Sequence, residues 1–468
     1  MVMVFSSLSF LFWFLPFFLA VYYLSPNRYK NLCLFGFSVA FYAFGTIEKP
    51  YYIVLILLTA FINYEIALLM QKKEPYKKLF LVVGIIIDFG TLFVFKYLDF
   101  ILENLNIVLS FLRSPFRFSP LELVLPIGIS FYTFQIISYL TDVYRGTILA
   151  EQSFLKFATY VMMFPKLTMG PITRYGSVEY ALTSRKHSLK MFKDGAIDFI
   201  LGLGLKVLLA NRIGVVWNDV CVIGFESISV PLAWLGIISY SLHIYFDFYG
   251  YSLMAIGLGK MLGFRLPQNF RYPYLSRSMT EFWRRWHITL GKWFKEYIYI
   301  PLGGNRKGKV RTVLNLAVVW IFTACWHGSG WNFIIWGLFL FAVIVIEKAF
   351  LYRILNKIPI LGHIYMMMLI PVSWLIFATD NLQDLVTYLG RLFGIGGIAV
   401  YKLDYSTYGT AFYILLAIGL LFCSRIPAAI CDSLRRTPAI YPILAAVFGA
   451  SIYFLCKGMN DPFMYFRF

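Results

Sequence analysis

Apolar residues along this chain fall in long blocks, at 5–24, 51–70, 79–95, 312–326, 331–346 and 439–455. Each approaches the ~20 residues that a helix needs to cross the hydrocarbon of a bilayer. With the less regular middle of the chain included, roughly eleven to thirteen such spans fit. The fold class this predicts is all-α: a polytopic, multi-pass integral membrane protein. It is read as one domain over 1–468, with re-entrant or interfacial helices where polar residues interrupt the blocks.

Composition supports that reading. The chain is 60% hydrophobic, 19% aromatic and 14% charged, with a mean hydropathy of +0.72. Soluble domains are about 45–50% apolar and about 25% charged, so the solvent for this surface is lipid. The opening "MVMVFSSLSFLFWF" has no basic region and no small-residue cleavage site. It reads as a retained first helix, not a signal peptide. Arg28 and Lys30 follow that helix, and Lys72, Lys73, Lys77 and Lys78 follow the third, against Lys49 alone between the second and third. The N-terminus is therefore expected outside and the basic loops in the cytoplasm.

The formal charge is 42 − 23 = +19. No soluble domain is present to bind nucleic acid, so none is expected as a partner. Basic cytoplasmic loops, membrane lipid headgroups and anionic substrates account for the excess. The six cysteines show neither CxxC nor zinc spacing and read as small core residues, with no metal site.

Two polar interruptions stand out. One covers 173–196 and contains "SRKHSLK". The other, 260–311, is basic throughout, with only Glu281 and Glu296 against its lysines and arginines. Its cations are laced with Trp283, Trp286, Trp293, Tyr297 and Tyr299. Rings that sit at headgroup level and cations that snorkel favour an interface. The segment therefore reads as a cytoplasmic re-entrant or interfacial helix, or as a basic anchor.

A third feature is "ACWHGSGW", 324–331, which closes an apolar run. Counted from Thr312, fifteen residues of helix rise about 23 Å, in a core about 30 Å thick. His327 then lies well past the midplane, beside a break made by Gly328, Ser329 and Gly330. Broken backbone at that depth is tolerated only inside protein or along a water-filled cavity. An ionisable group there marks a functional site unless a backbone carbonyl simply satisfies it. Cys325 points about 200° away from His327 on a helix and makes a poor partner.

Other patterns are weaker. "GGNRKGKV" lacks the hydroxyl and the preceding strand of a phosphate loop, and "DFG" at 88–90 has no kinase context. His243 and Asp247 share a helix face, which suits a buried hydrogen bond better than a metal pair without a third ligand.

"YFDFYGYSLMAIGLGKMLGFRLPQNFRYPYLSRSMTEFWRRWHITLGKWFKEYIYIPLGGNRKGK", followed by "WHGSGW", resembles the membrane-bound O-acyltransferase family. "LPIGISFYTFQIISYLTDVYRG" and "FPKLTMGPITRY" resemble its bacterial alginate O-acetyltransferase branch in particular. The resemblance implies a central tunnel joining a cytoplasmic acyl donor, acetyl-CoA or another acyl-CoA, to an acceptor outside. It implies catalytic roles for His327 and for His287 of "WRRWH", with Trp326, Trp286, Arg285 and Asp247 lining the donor path. The ending "DPFMYFRF", 461–468, is similar to the Phe-x-Tyr-Phe-x-Phe ending of this branch. In the teichoic acid D-alanyl transfer relatives, such an ending on a small partner protein is proposed to carry the acyl group. By resemblance Tyr465 is the acyl relay here, with an aromatic anchor as the other reading of the motif. The implied partners are an extracytoplasmic serine-using transferase and a cell-envelope polysaccharide: peptidoglycan, alginate or another exopolysaccharide. The implied location is the bacterial cytoplasmic (inner) membrane. Tyr249, Leu253 and His243 depart from the alginate pattern and leave the acceptor polymer open. A transporter or flippase, or a non-catalytic assembly scaffold, are the alternatives; the inverted repeat usual in a transporter is not found.

Overall fold

A computed structural model describes residues 3–396, 401 and 403–458. It is 76% helical and, among the described residues, contains no strand. Seven helices among them are long and apolar enough to cross a membrane, and Phe10–Leu24 and Ile440–Cys456 are shorter apolar helices. Other expected spans fall on helices that are short, such as Lys30–Gly45 and Ile129–Tyr144. Val230–Met261 is long but carries His243 and Asp247. The block at 79–95 extends into a 35-residue helix, Lys77–Phe111. At 1.5 Å per residue that is about 52 Å, more than a bilayer's hydrocarbon.

The chain forms two compact units, one of Met1–Gly195 with Ala255–Pro267, the other of Ala196–Met254 with Gln268–Phe468. In the first unit, Phe10, Phe14 and Phe18 pack edge to face on Phe164, and Phe41 meets Phe10 edge to face and lies tilted against Phe164. Several of its buried polar groups pair with one another. Asn63 donates to Asp88 at 2.7 Å, so the "DFG" aspartate serves helix packing. Lys166 donates to Gln135 and sits 4.0 Å over the Tyr160 ring. The "SRKHSLK" segment is tied down through Arg185, which donates to Tyr22 Oη at 2.6 Å.

The second unit contains Gly308–His327, Trp331–Ile346, Pro359–Ala378, Gly409–Phe422 and Ile440–Cys456. Between them lie Leu382–Leu392 and Ile426–Leu434, of 11 and 9 residues. These rise only about 16 Å and 14 Å and cannot cross. Successive spans therefore alternate in direction. Lys307, Lys309, Arg311, Lys348, Arg353, Lys357, Arg425, Arg435 and Arg436 then fall at one end with Glu347 and Asp432, and Asp380, Asp384 and Asp404 at the other with Arg391 and Lys457, so the first end is the more basic. By the positive-inside tendency the basic end is the one expected in the cytoplasm. His327 and the end of Ile440–Cys456 share the opposite side.

Candidate active site

"SMTEFWRRWH" folds as a capped turn of helix. Ser278 caps Met279–Arg285 by accepting from Glu281 N–H at 3.1 Å, and the Glu281 carboxylate accepts from Arg277 N–H at 2.8 Å. This is close to a capping box, with the carboxylate reaching the N–H one residue before the cap instead of the cap's own. A second carboxylate reinforces it: buried Glu347 accepts from Met279 N–H at 2.5 Å, and from Thr280 N–H and Oγ1 at 2.8 and 2.6 Å. Its negative charge sits at the positive end of the helix dipole.

The helix stops at Arg285, and the chain reverses at His287. That residue has φ 43° and ψ 54°, a left-handed conformation that costs a residue with a Cβ roughly 1–2 kcal/mol. The turn is held from outside by the "PQNF" strand of backbone. Arg271 N–H donates to Arg285 O at 3.0 Å and Ile288 N–H to Asn269 O at 2.9 Å. Thr289 Oγ1 donates to Asn269 Oδ1 at 2.6 Å. Strain that is held this firmly is a pointer to function. His287→Gly removes the imidazole but suits the backbone. It should leave the protein about 1 kcal/mol more stable than His287→Ala, read by thermal unfolding in detergent.

His327 is the last residue of Gly308–His327. The glycines after it are dictated by packing: a Cβ on Gly328 would lie 1.9 Å from the Phe333 ring, and one on Gly330 2.3 Å from Asn332 Oδ1. Asn332 in turn donates to Phe377 O at 3.0 Å. The break in "WHGSGW" therefore lets the chain turn back at once against its own next helix. It stands the imidazole edge-on to three rings, Trp326 at 4.8 Å, Trp336 at 4.9 Å and Phe377 at 5.4 Å between centroids.

The two histidines, forty positions apart, meet the same indole. His287 is 5.6 Å from Trp326 and its other side is 4.8 Å from Phe248. Exposure is 1% for His287 and 4% for His327. A cavity of about 230 Å³ reaches His287 and is walled by Trp283, Trp286, Leu290, Phe294, Trp320 and Thr323, with Arg284, Lys295 and Lys348 also along it. Its wall on the histidine helix runs from Leu316 to Thr323. It therefore lies on the basic side of His327 and stops one turn short, with Trp326 between.

Of the residues singled out in the sequence, Trp286 and His287 line this cavity. Arg285 does not; it pairs with Glu281 and donates to Tyr272 O at 3.4 Å, while its neighbour Arg284 takes the lining position. Asp247 forms a buried ion pair with Lys206. Tyr465 lies outside the described residues. Sequence reading missed Glu347, Lys348, Trp336 and Phe377, which look like a span's polar end and its lipid-facing rings. A lone acid following an apolar run was the one available signal for Glu347.

Known proteins are similar to this chain over most of its length. A family model described as MBOAT, membrane-bound O-acyltransferase family, matches residues 145–379. The chain is 36% identical to the probable alginate O-acetylase AlgI of Pseudomonas putida over 100% of both chains. It is 40% identical to the protein of that name from Azotobacter vinelandii, covering 84% of this chain and 79% of the relative. It is 32% identical to the peptidoglycan O-acetyltransferase of Helicobacter pylori, covering 86% and 82%.

Proposed function

This chain belongs to the membrane-bound O-acyltransferase family, and from that premise we propose that it passes an acetyl group from cytoplasmic acetyl-CoA through the bacterial inner membrane for O-acetylation of a cell-envelope polysaccharide. The observation that carries the reading is the apolar cavity ending at His287, with Arg284, Lys295 and Lys348 along it. Its walls suit a pantetheine arm, and its cations suit the phosphates behind it. Residues 260–311 are the cytoplasmic re-entrant segment that presents Arg284 and Lys295, while Lys348 comes from the π-helical stretch Glu347–Leu351. The names of the relatives include both alginate and peptidoglycan, so the acceptor is assigned as an envelope polysaccharide and no further.

The chemistry proposed is acyl transfer in two steps. A phenol of pKa about 10 is easier to deprotonate than a sugar hydroxyl, and an imidazole near 6.5 can serve as its base. His327 takes the proton from Tyr465 as the phenolic oxygen attacks the thioester carbonyl. The C–S bond breaks, and the proton passes to the departing thiolate. The aryl ester remains activated and hands its acetyl group to a serine-using transferase outside, regenerating the phenol. His287 orients the thioester, and Trp326 must turn aside for the acyl group to pass from one imidazole to the other.

A transporter would move its substrate without forming a bond to it. Labelled acetyl-CoA supplied to the enzyme in proteoliposomes therefore tests the reading directly, by transfer of label to the chain or to an added acceptor. In the same assay Arg284→Ala with Lys348→Ala should raise KM for acetyl-CoA about tenfold, or 1.4 kcal/mol, with kcat unchanged. An unchanged KM removes this cavity as the donor's entry.

A further inference from the structure

We propose that the buried Lys206–Asp247 ion pair is a positioning device: it sets the register of the Val230–Met261 helix so that Phe248 holds His287 in place. This deepens the acyl-transfer reading and rests on it. Lys206 and Asp247 are 0% and 2% exposed. Lys206 stands in a π-helical stretch, Leu205–Ala210, a distortion that is rare in helices and common at functional sites.

The two helices meet along a smooth seam. A Cβ on Gly202 would lie 2.5 Å from Gly250 O, and one on Gly250 2.7 Å from Gly202 O and 3.0 Å from Lys206 N. Further along, a Cβ on Gly214 would lie 1.8 Å from His243 Nδ1. Backbone lies against backbone here, with the His243 ring seated on Gly214 and the Met254 side chain on Gly202; such contacts favour close approach and carry no charge. The ion pair between these two points adds a penalty that apolar packing does not. Any slip or rotation would leave a charge buried without its partner, a strong penalty on the wrong register.

Register matters because of the opposite face of the same helix. At about 100° per residue, His243, Asp247, Gly250 and Met254 form one stripe, and Ser241, Tyr245 and Phe248 lie about half a turn away. That second stripe meets the "WRRWH" turn. Phe248 stands at 86° to His287, 4.8 Å between centroids. Tyr245 is 6.0 Å from Trp286, and the Ser241 carbonyl accepts from Tyr274 Oη. One helix thus carries the pin on one face and the support of the imidazole on the other. Two apolar residues of matching volume would pack as well; they would not select one rotation.

The test compares full-length enzymes in proteoliposomes. Lys206→Met with Asp247→Leu keeps the volume and removes both charges. Its melting temperature should stay near that of the native chain, while kcat per folded molecule falls about tenfold and KM for acetyl-CoA holds. Native kcat in this variant overturns the proposal. If it does not fold, Asp247→Glu keeps the pair and lengthens it by one methylene; kcat should fall severalfold, and native kcat again overturns the proposal. Combined with Phe248→Leu, the paired change should slow the enzyme no further than the slower of the two alone; multiplicative losses refute a shared route. The His287 imidazole resonances, shifted by the Phe248 ring, should move in the charge-free variant. Unmoved resonances count against the proposal even if the acetyl-CoA assignment itself fails, which the labelling assay decides separately.

Discussion

Replacing His327 with alanine should lower acetyl transfer by about 10²- to 10⁴-fold, the range a positioned general base contributes, while the protein still inserts and folds. The size of the loss follows from the site. The rings packed against His327 belong to Trp326, Trp336 and Phe377, and none of these three is a base. The fold should survive because removing the ring opens a small gap among aromatics. His327→Gln, which keeps a polar group of similar length but cannot accept a proton at neutral pH, should be nearly as slow. Measurement of kcat on purified protein of normal melting temperature decides the matter; turnover within a few fold of the native enzyme would remove His327 from the mechanism.

Changing Tyr465 to phenylalanine should abolish covalent acetyl labelling and cut polymer acetylation by a comparable factor. The substitution deletes one oxygen and keeps the ring. An aromatic anchor at the membrane surface would be indifferent to it, whereas a relay would lose its nucleophile outright. Intact-mass analysis after exposure to acetyl-CoA separates the two: the native chain should gain one acetyl group and the Phe variant none. Full activity in the variant would favour the anchor. Leu382–Leu392 and Ile426–Leu434 are too short to cross a bilayer, and counting spans without them brings the end of Ile440–Cys456 to the side of His327.

The same arithmetic explains what span counting from sequence could not settle. Hydropathy responds to composition, and the helix Ile426–Leu434 is almost as apolar as a span, but its length keeps it at the surface. Conversely, Val230–Met261 carries His243 and Asp247 where a span should be clean. The structure resolves it as a long helix whose polar stripe faces Lys206. Among neighbouring residues the contrast is sharper. Arg284 and Arg285 are indistinguishable in "WRRWH"; one lines the cavity and the other is spent on Glu281. The step of about 100° between adjacent residues on a short helix separates them.

The sequence by itself determined the lipid-solvated, all-α class, the basic segment before the histidine helix, the break after His327 and the family. All of these are local: block length, sign of charge, and residue order within a motif are carried by neighbours in the chain. Only the tertiary structure decided that His287 turns left-handed to meet Trp326, that a cavity approaches it from the basic side, and that Asp247 answers Lys206 across a glycine seam. Those facts depend on how helices far apart in the chain are rotated and crossed. That geometry is set by packing many side chains at once, which no single stretch of sequence encodes.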